Sequence, residues 1–193
     1  MVTRYSDKIL SRLQNIERQI RDMLIFARGE TELTEELSVA ELIALLREAT
    51  ADIEIPRGCL LHWQVSDQDL RLTCNSDALI GALLNLIENA LQASNENQSV
   101  VIQVGLLNPE QPDSSSQKLR IAIEDEGSGI NRSLLTKLAD PFVTTKTQGT
   151  GLGLAIVRLV TKSHRGEFQL KPRPFRGVCA EMILPVNSAG RQK

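Results

Sequence analysis

Four short stretches hold the residue types that recognition of a phosphorylated ligand would need. Asn85 and Asn89, in Asn-Leu-Ile-Glu-Asn-Ala, stand four residues apart, so on a helix turning about 100° per residue both carboxamides project from one face. Two amides interrupting an apolar helix are costly if buried without partners, and a hard cation carrying phosphates would satisfy them. Asp125-Glu126-Gly127-Ser128-Gly129-Ile130 directly follows a stretch that reads as a strand. A carboxylate at a strand end can accept from an exocyclic amine such as adenine N6, and Gly127 and Gly129 let backbone approach a flat ring closely. Pro141-Phe142-Val143-Thr144-Thr145-Lys146 and Gly149-Thr150-Gly151-Leu152-Gly153-Leu154 then lead into an apolar helix. Glycines there free consecutive N–H groups to face phosphate oxygens, the helix dipole adds to the attraction, and Lys146 is placed to neutralise phosphate charge.

Taken singly, these patterns have plain explanations: paired asparagines on a solvated face, or an ordinary Asp-Gly turn. The glycine stretch is not a Walker-type loop, because Gly153 is followed by Leu154 and no strand immediately precedes it, and it holds no complete G-x-G-x-x-G. The two histidines, His62 and His164, have no acidic neighbour in the chain and read as structural.

The elements that must position these groups belong to a chain of 193 residues, one domain or a domain plus an appendage. Lys and Arg number 22 against 24 Asp and Glu, a net charge of -2 that is too balanced for a general polyanion binder, so no direct nucleic-acid contact is expected. Hydrophobic residues make up 41% and aromatics only 3%, which predicts an aliphatic core. The three cysteines lack C-x-x-C spacing, pointing to small buried thiols in a reduced, cytoplasmic setting. The longest apolar stretch, Ala78 to Leu84, is far short of a membrane span, and the N-terminus has no apolar signal region. A soluble chain without an export signal of its own is expected.

Ile9, Leu13, Ile16, Ile20 and Met23 or Leu24 define one narrow helical seam that needs a partner helix. Residues 30–36 read as an acidic connector, and the globular part begins near Leu37. A helix over Val39 to Ala49 is followed by two strands, Cys59 to Val65 and Leu70 to Thr73, around the polar turn Ser66-Asp67-Gln68-Asp69. Asn75 caps a long helix reaching Ala93. Strands at Val100 to Leu107 and Leu119 to Glu124 flank a polar loop. A short helix at Ser133 to Leu138, a helix at Leu152 to Ser163 and closing strands at Glu167 to Leu170 and Val178 to Leu184 complete the order. That mixed order predicts an α+β fold, a two-layer sandwich of helices on one face of a mainly antiparallel sheet.

In this combination and order the four patterns resemble the N, G1, F and G2 boxes of the ATP-binding catalytic domain of two-component sensor histidine kinases, on the Bergerat-type ATP-binding fold. The resemblance covers about Leu37 to Pro185 and is closest to nitrogen-regulatory and flagellar-regulatory kinases, through Asn89 to Ala93 and Pro141 to Lys146. It implies ATP or ADP as ligand, Asp125 on the adenine amine, and Gly127 and Gly129 shaping the base pocket. Asn89, supported by Asn85, would hold Mg²⁺, with Lys146, Gly149, Thr150, Gly151, Leu152 and Gly153 forming a lid over the β- and γ-phosphates. It further implies residues 1–29 as the second helix of a dimerisation and phosphotransfer hairpin, 30–36 as linker, 37–187 as the catalytic domain and 188–193 as tail. The phosphoryl group would pass to a histidine on a helix missing from this chain and then to a response regulator of the enhancer-binding type, with homodimerisation only in the longer parent chain.

The sequence departs from the family pattern where Val178 follows Gly177 in place of a small hydroxyl residue, at Ala180, and at His164-Arg165-Gly166. Two rival readings share the fold. A hydrolytic or conformational ATPase places a glutamate one turn before the magnesium asparagine, where this chain has Asn85, and a nucleotide-binding pseudo-kinase would retain binding alone.

Overall fold

The computed structural model describes residues 13, 20, 23, 24, 27, 32–51, 53, 55–56, 58–107, 117–130, 143 and 151–187. Ser38 and Glu41, three residues apart, close a reciprocal cap: the Glu41 N–H donates to Ser38 Oγ at 3.1 Å and the Ser38 N–H to Glu41 Oε2 at 2.7 Å. They start helix α1 (Val39–Thr50), which buries Val39, Leu42, Ile43 and Leu46. Asn75 Oδ1 accepts from the Ala78 N–H at 3.0 Å and starts α2 (Ser76–Ala93). Helix α3 (Gly153–Ser163) buries Ile156, Val157 and Val160. Each such aliphatic side chain contributes about 1.5–3 kcal/mol on leaving water.

These helices cover one face of a five-stranded sheet of β2 (Leu60–Val65), β4 (Ser99–Leu106), β5 (Lys118–Asp125), β6 (Glu167–Pro172) and β7 (Val178–Pro185), in the order β2-β4-β5-β7-β6. Only β2 and β4 run parallel. Alternation along β4 and β5 sends Val100, Ile102, Val104, Leu119, Ile121 and Ile123 into the aliphatic core beneath the helices. The opposite face carries side-chain hydrogen bonds across all five strands. Gln103 donates to Gln64 at 3.2 Å and Arg120 to Gln103 at 3.0 Å; Arg120 and Lys171 both pair with Glu181, the lysine at 2.5 Å. Burial works to raise the Glu181 pKa, but the bonds and charges of Lys171 and Arg120 outweigh it and hold the carboxyl below its ordinary range. The cysteines are buried thiols, as the sequence suggests, burial pushing Cys74 up to about 11.

Two local readings change. The acidic stretch ends in a strand, β1 (Glu35–Ser38), paired antiparallel with β3 (Arg71–Cys74). The strands around Ser66 to Asp69 do not pair with each other, because the turn itself bonds to β4. The Ser66 N–H donates to the Val104 carbonyl at 2.8 Å and the Leu106 N–H to Asp67 Oδ2 at 3.1 Å. That leaves β3 free to join β1. The seam of the first helix lies largely outside the described residues; Leu13, Ile20, Met23 and Leu24 are helical and exposed. The expected helix at Ser133 to Leu138 lies wholly outside them. No helix among the described residues is long and apolar enough to cross a membrane.

His164, 2% exposed, ties the end of α3 to the start of α2. Its Nδ1 lies 2.8 Å from the Val160 carbonyl, and its Nε2 accepts from the Asn75 N–H at 3.1 Å. This is the neutral tautomer: Nδ1 donates and Nε2 accepts. Burial lowers its pKa, with the Val160 bond opposing, so its contribution is full above the unfolded value of about 6.5 and is lost as pH falls. Unfolding free energy from urea titrations is therefore expected to fall from pH 7.5 towards 5. His164→Gln should cost about 1–3 kcal/mol at pH 7.5 and flatten that decline.

Candidate functional site

Strand β5 ends at Asp125, whose side chain lies on the helix-facing side of the sheet and is 5% exposed. Its Oδ1 accepts from the Gly127 N–H at 2.8 Å. Burial raises the Asp125 pKa; the backbone N–H groups of Gly127 and Val178 and the Arg173 guanidinium pull the other way. A carboxylate held mainly by backbone N–H groups keeps acceptor capacity for one more donor.

Two glycines make this corner possible because no Cβ would fit. One added to Gly127 would stand 2.3 Å from the Ala93 carbonyl at the end of α2. One added to Gly177, at φ +85°, would stand 1.9 Å from the Asp125 carbonyl. Gly129 takes φ +77° beside them, and a Cβ added there would stand 3.7 Å from the Gly177 backbone.

One helix joins this corner to the second half of the site. Asn85 is 9% exposed, and its Nδ2 is buried with no hydrogen-bond partner among the described residues. Its Oδ1 lies 3.5 Å from where a Gly153 Cβ would stand, so the first residue of α3 abuts the carboxamide. The cap position of α3 is Leu152, 2% exposed, which makes no side-chain capping bond. The N–H groups of that first turn face the site with the positive end of the helix dipole. Gly151, at φ +68°, turns the chain into the helix. Asn89, one turn beyond Asn85, is half-buried. Lys146, Gly149 and Thr150 lie outside the described residues.

The structure thus brings Asp125, Gly127 and Gly129 together at one end of α2, and Asn85, Leu152 and Gly153 together near its middle. His62 is exposed on the edge strand β2, and His164 is buried in a structural role. Among the described residues no cluster of His, Cys, Asp and Glu could hold a metal. A cation here would be held by carboxamides and by the ligand's own oxygens. The buried Asn85 amide, without a partner among the described residues, and the start of α3 with its helix dipole fit a group rich in acceptor oxygens.

Sequence reading missed two contributors, the Val178 N–H and Arg173. Val178 departs from the expected hydroxyl residue, yet it serves Asp125 through its backbone, which any non-proline residue supplies. Arg173 lies 48 residues from Asp125 and donates to its backbone carbonyl at 2.7 Å. Such a contact, made between residues distant in the chain, has no local sequence signal.

Residues 74–188 match the family model described as histidine kinase-, DNA gyrase B-, and HSP90-like ATPase. The sensor protein kinase FleS of Pseudomonas aeruginosa is 40% identical over 183 residues, 95% of this chain and 43% of FleS. The signal transduction histidine-protein kinase AtoS of Escherichia coli is 30% identical over 192 residues, 97% of this chain and 30% of AtoS. The chain therefore spans less than half the length of these relatives. The solved catalytic domain of the histidine kinase ThkA superposes with a TM-score of 0.61 at 30% identity, covering 80% of this chain and 96% of that one. The matched span contains the buried carboxylate corner, α2 and the start of α3, and the chain belongs to the histidine kinase-, DNA gyrase B-, and HSP90-like ATPase family, as an ATPase domain of the sensor histidine kinase type.

Proposed function

We propose that this domain binds Mg-ATP and transfers the γ-phosphoryl group to a histidine on a helix of the parent kinase, for relay to an aspartate of a response regulator. The observation that carries this reading is the buried Asp125 carboxylate, set between Gly127 and Gly177 where no Cβ fits and left with acceptor capacity for an amine. Asp125 accepts from the adenine N6 amine, and Gly127 and Gly129 line the ring. At the other end Asn85 donates its buried amide to phosphate oxygen, Asn89 presents its carboxamide oxygen to the cation, and the backbone from Gly149 to Gly153 with Lys146 closes over the phosphates. Mg²⁺, when bound, supplies charge neutralisation between the phosphates. Phosphoryl transfer needs mainly positioning and such neutralisation, so no nucleophile of the domain's own is required.

Asn85 bears on the rival hydrolytic reading. A carboxamide cannot take a proton from water at neutral pH, and this one stands where a general base would have to stand. The retained Asp125 corner and the Val178 N–H speak for nucleotide binding. They leave the pseudo-kinase reading to the transfer experiment. The exposed helical Leu13, Ile20, Met23 and Leu24 support residues 1–29 as the second helix of a dimerisation hairpin, followed by a linker over 30–36 and the catalytic domain over 37–187. FleS and AtoS are sensor kinases. By that similarity the partner is a response regulator, and the resemblance of Asn89 to Ala93 and Pro141 to Lys146 to nitrogen- and flagellar-regulatory kinases supports one of the enhancer-binding type, in a cytoplasmic setting where ATP is available.

The two ends of the site are separable. ADP with Mg²⁺ is expected to raise the melting temperature, and Asp125→Ala to abolish that rise while leaving the fold. Affinity measured by calorimetry should also fall as pH drops through the Asp125 pKa, which burial raises above its ordinary value, because a protonated carboxyl no longer accepts from the amine and the backbone at once. Asn89→Ala should weaken Mg-ATP binding by about tenfold or more while leaving adenosine binding nearly unchanged.

Transfer decides between kinase and ATPase. The chain given γ-labelled ATP should acquire no acid-labile phosphate and should hydrolyse ATP slowly, whereas a version extended by an acceptor helix should label on the new histidine. Label on His62 or His164, or fast hydrolysis without labelling after extension, would replace this reading with the hydrolytic one.

A further inference from the structure

The end of β5 is held from two sides by groups that the base pocket does not itself require. The ladder between β5 and β7 ends at the pair Glu124 and Cys179, so the Asp125 carbonyl lies beyond it. Arg173 reaches that carbonyl from the loop between β6 and β7, its Nη1 donating at 2.7 Å while its Nε faces Glu124 Oε2 at 3.5 Å. The Arg173 N–H donates to the Gly177 carbonyl at 3.1 Å and closes the loop, and Gly177 is packed against the same Asp125 carbonyl. On the far side Glu126 Oε2 accepts from the Ser99 N–H of β4 at 2.9 Å.

These contacts fix one peptide plane. The Asp125 carbonyl belongs to the peptide that leads to Glu126, and one residue further on the Gly127 N–H returns to Asp125 Oδ1. Rotation of that plane would swing the Gly127 N–H away and re-aim the carboxylate. The guanidinium and the Glu124 carboxylate are partly buried, at 29% and 20% exposure, so the bond is less screened than a surface pair.

We propose that Arg173 is a positioning residue for adenine recognition, its guanidinium clamping the end of β5 so that the Asp125 carboxylate faces the base amine. The proposal rests on the reading of Asp125 as the base-binding carboxylate. Arg173 touches no base in this role; it acts through the Asp125 and Glu124 backbone and side chain. Its positive charge also favours the ionised form of the buried carboxylate.

The test is the ratio of ADP to IDP affinity, measured by calorimetry on the folded chain. IDP carries a carbonyl oxygen where ADP carries the amine, so the ratio reports how well the carboxylate is aimed rather than how well the phosphates are held. The wild-type chain should prefer ADP, and Asp125→Ala should erase the preference. Arg173→Ala should weaken ADP by about tenfold and IDP far less, as expected for loss of one charge-assisted hydrogen bond. Arg173→Lys, which keeps a donor and the charge, should recover an intermediate ratio. An unchanged ratio in Arg173→Ala, or equal losses of both nucleotides, would overturn the positioning role. If Arg173→Ala does not fold by circular dichroism, Arg173→Lys and Glu124→Gln decide: both should lower the ratio, and a wild-type ratio in both overturns the proposal. A wild-type chain that binds neither nucleotide, or binds both equally, overturns the base-pocket reading itself and the proposal with it.

Discussion

A carboxylate removed from water at the end of a strand is unfavourable unless donors replace its hydration shell, and here those donors are chiefly backbone N–H groups. Everything around Asp125 follows from that requirement. The Gly127 N–H must turn back within two residues, which brings the turn so close to Ala93 that no side chain fits at 127. The hairpin loop must bring Gly177 against the Asp125 carbonyl, where only a residue without a Cβ can sit. The loop that makes this approach also delivers Arg173. A buried acid with raised pKa is a poor device for stability, and its cost is understandable where the group is kept for binding.

The same helix measures out the rest of the site. Ala93, at the C-terminal end of α2, packs on the turn after Asp125, while Asn85 lies two turns earlier against the start of α3. At about 1.5 Å per residue the Asp125 corner and the Asn85 end are then separated by about 12 Å along one rigid element. The helix is rigid because its apolar stripe is sunk in the aliphatic core, and its start is pinned by Asn75, which is bonded in turn to His164 at the end of α3. The spacing of the two halves is therefore set by packing far from either.

Much of this was legible in the chain. The Asn75 cap, the apolar stripe of α2, the alternating runs of β4 and β5 and the apolar run of β7 are local patterns and emerge where the residues suggest. Asp125, Gly127 and Asn85 could be singled out because their types interrupt such patterns. What stayed hidden depends on partners distant in sequence. The parallel pairing of β2 with β4 continues into the bonds that Ser66 and Asp67 make to β4, partners about 40 residues away in the chain. The strand β1 sits in an acidic stretch with little strand propensity and forms because β3 offers it an edge. Arg173 and the Val178 N–H reach Asp125 only after β6 and β7 fold beside β5, so neither residue carries a mark in its own neighbourhood.

That Asp125 reads the adenine amine is tested most directly by amide chemical shifts of the labelled chain during titration with adenosine alone, which has no phosphate to hold it. The Gly127 and Val178 amides, the two that serve the Asp125 carboxylate, should shift saturably with adenosine and remain unmoved by guanosine at the same concentrations. Shifts of equal size with both nucleosides, or none at these amides while others move, would contradict recognition of the base by this carboxylate.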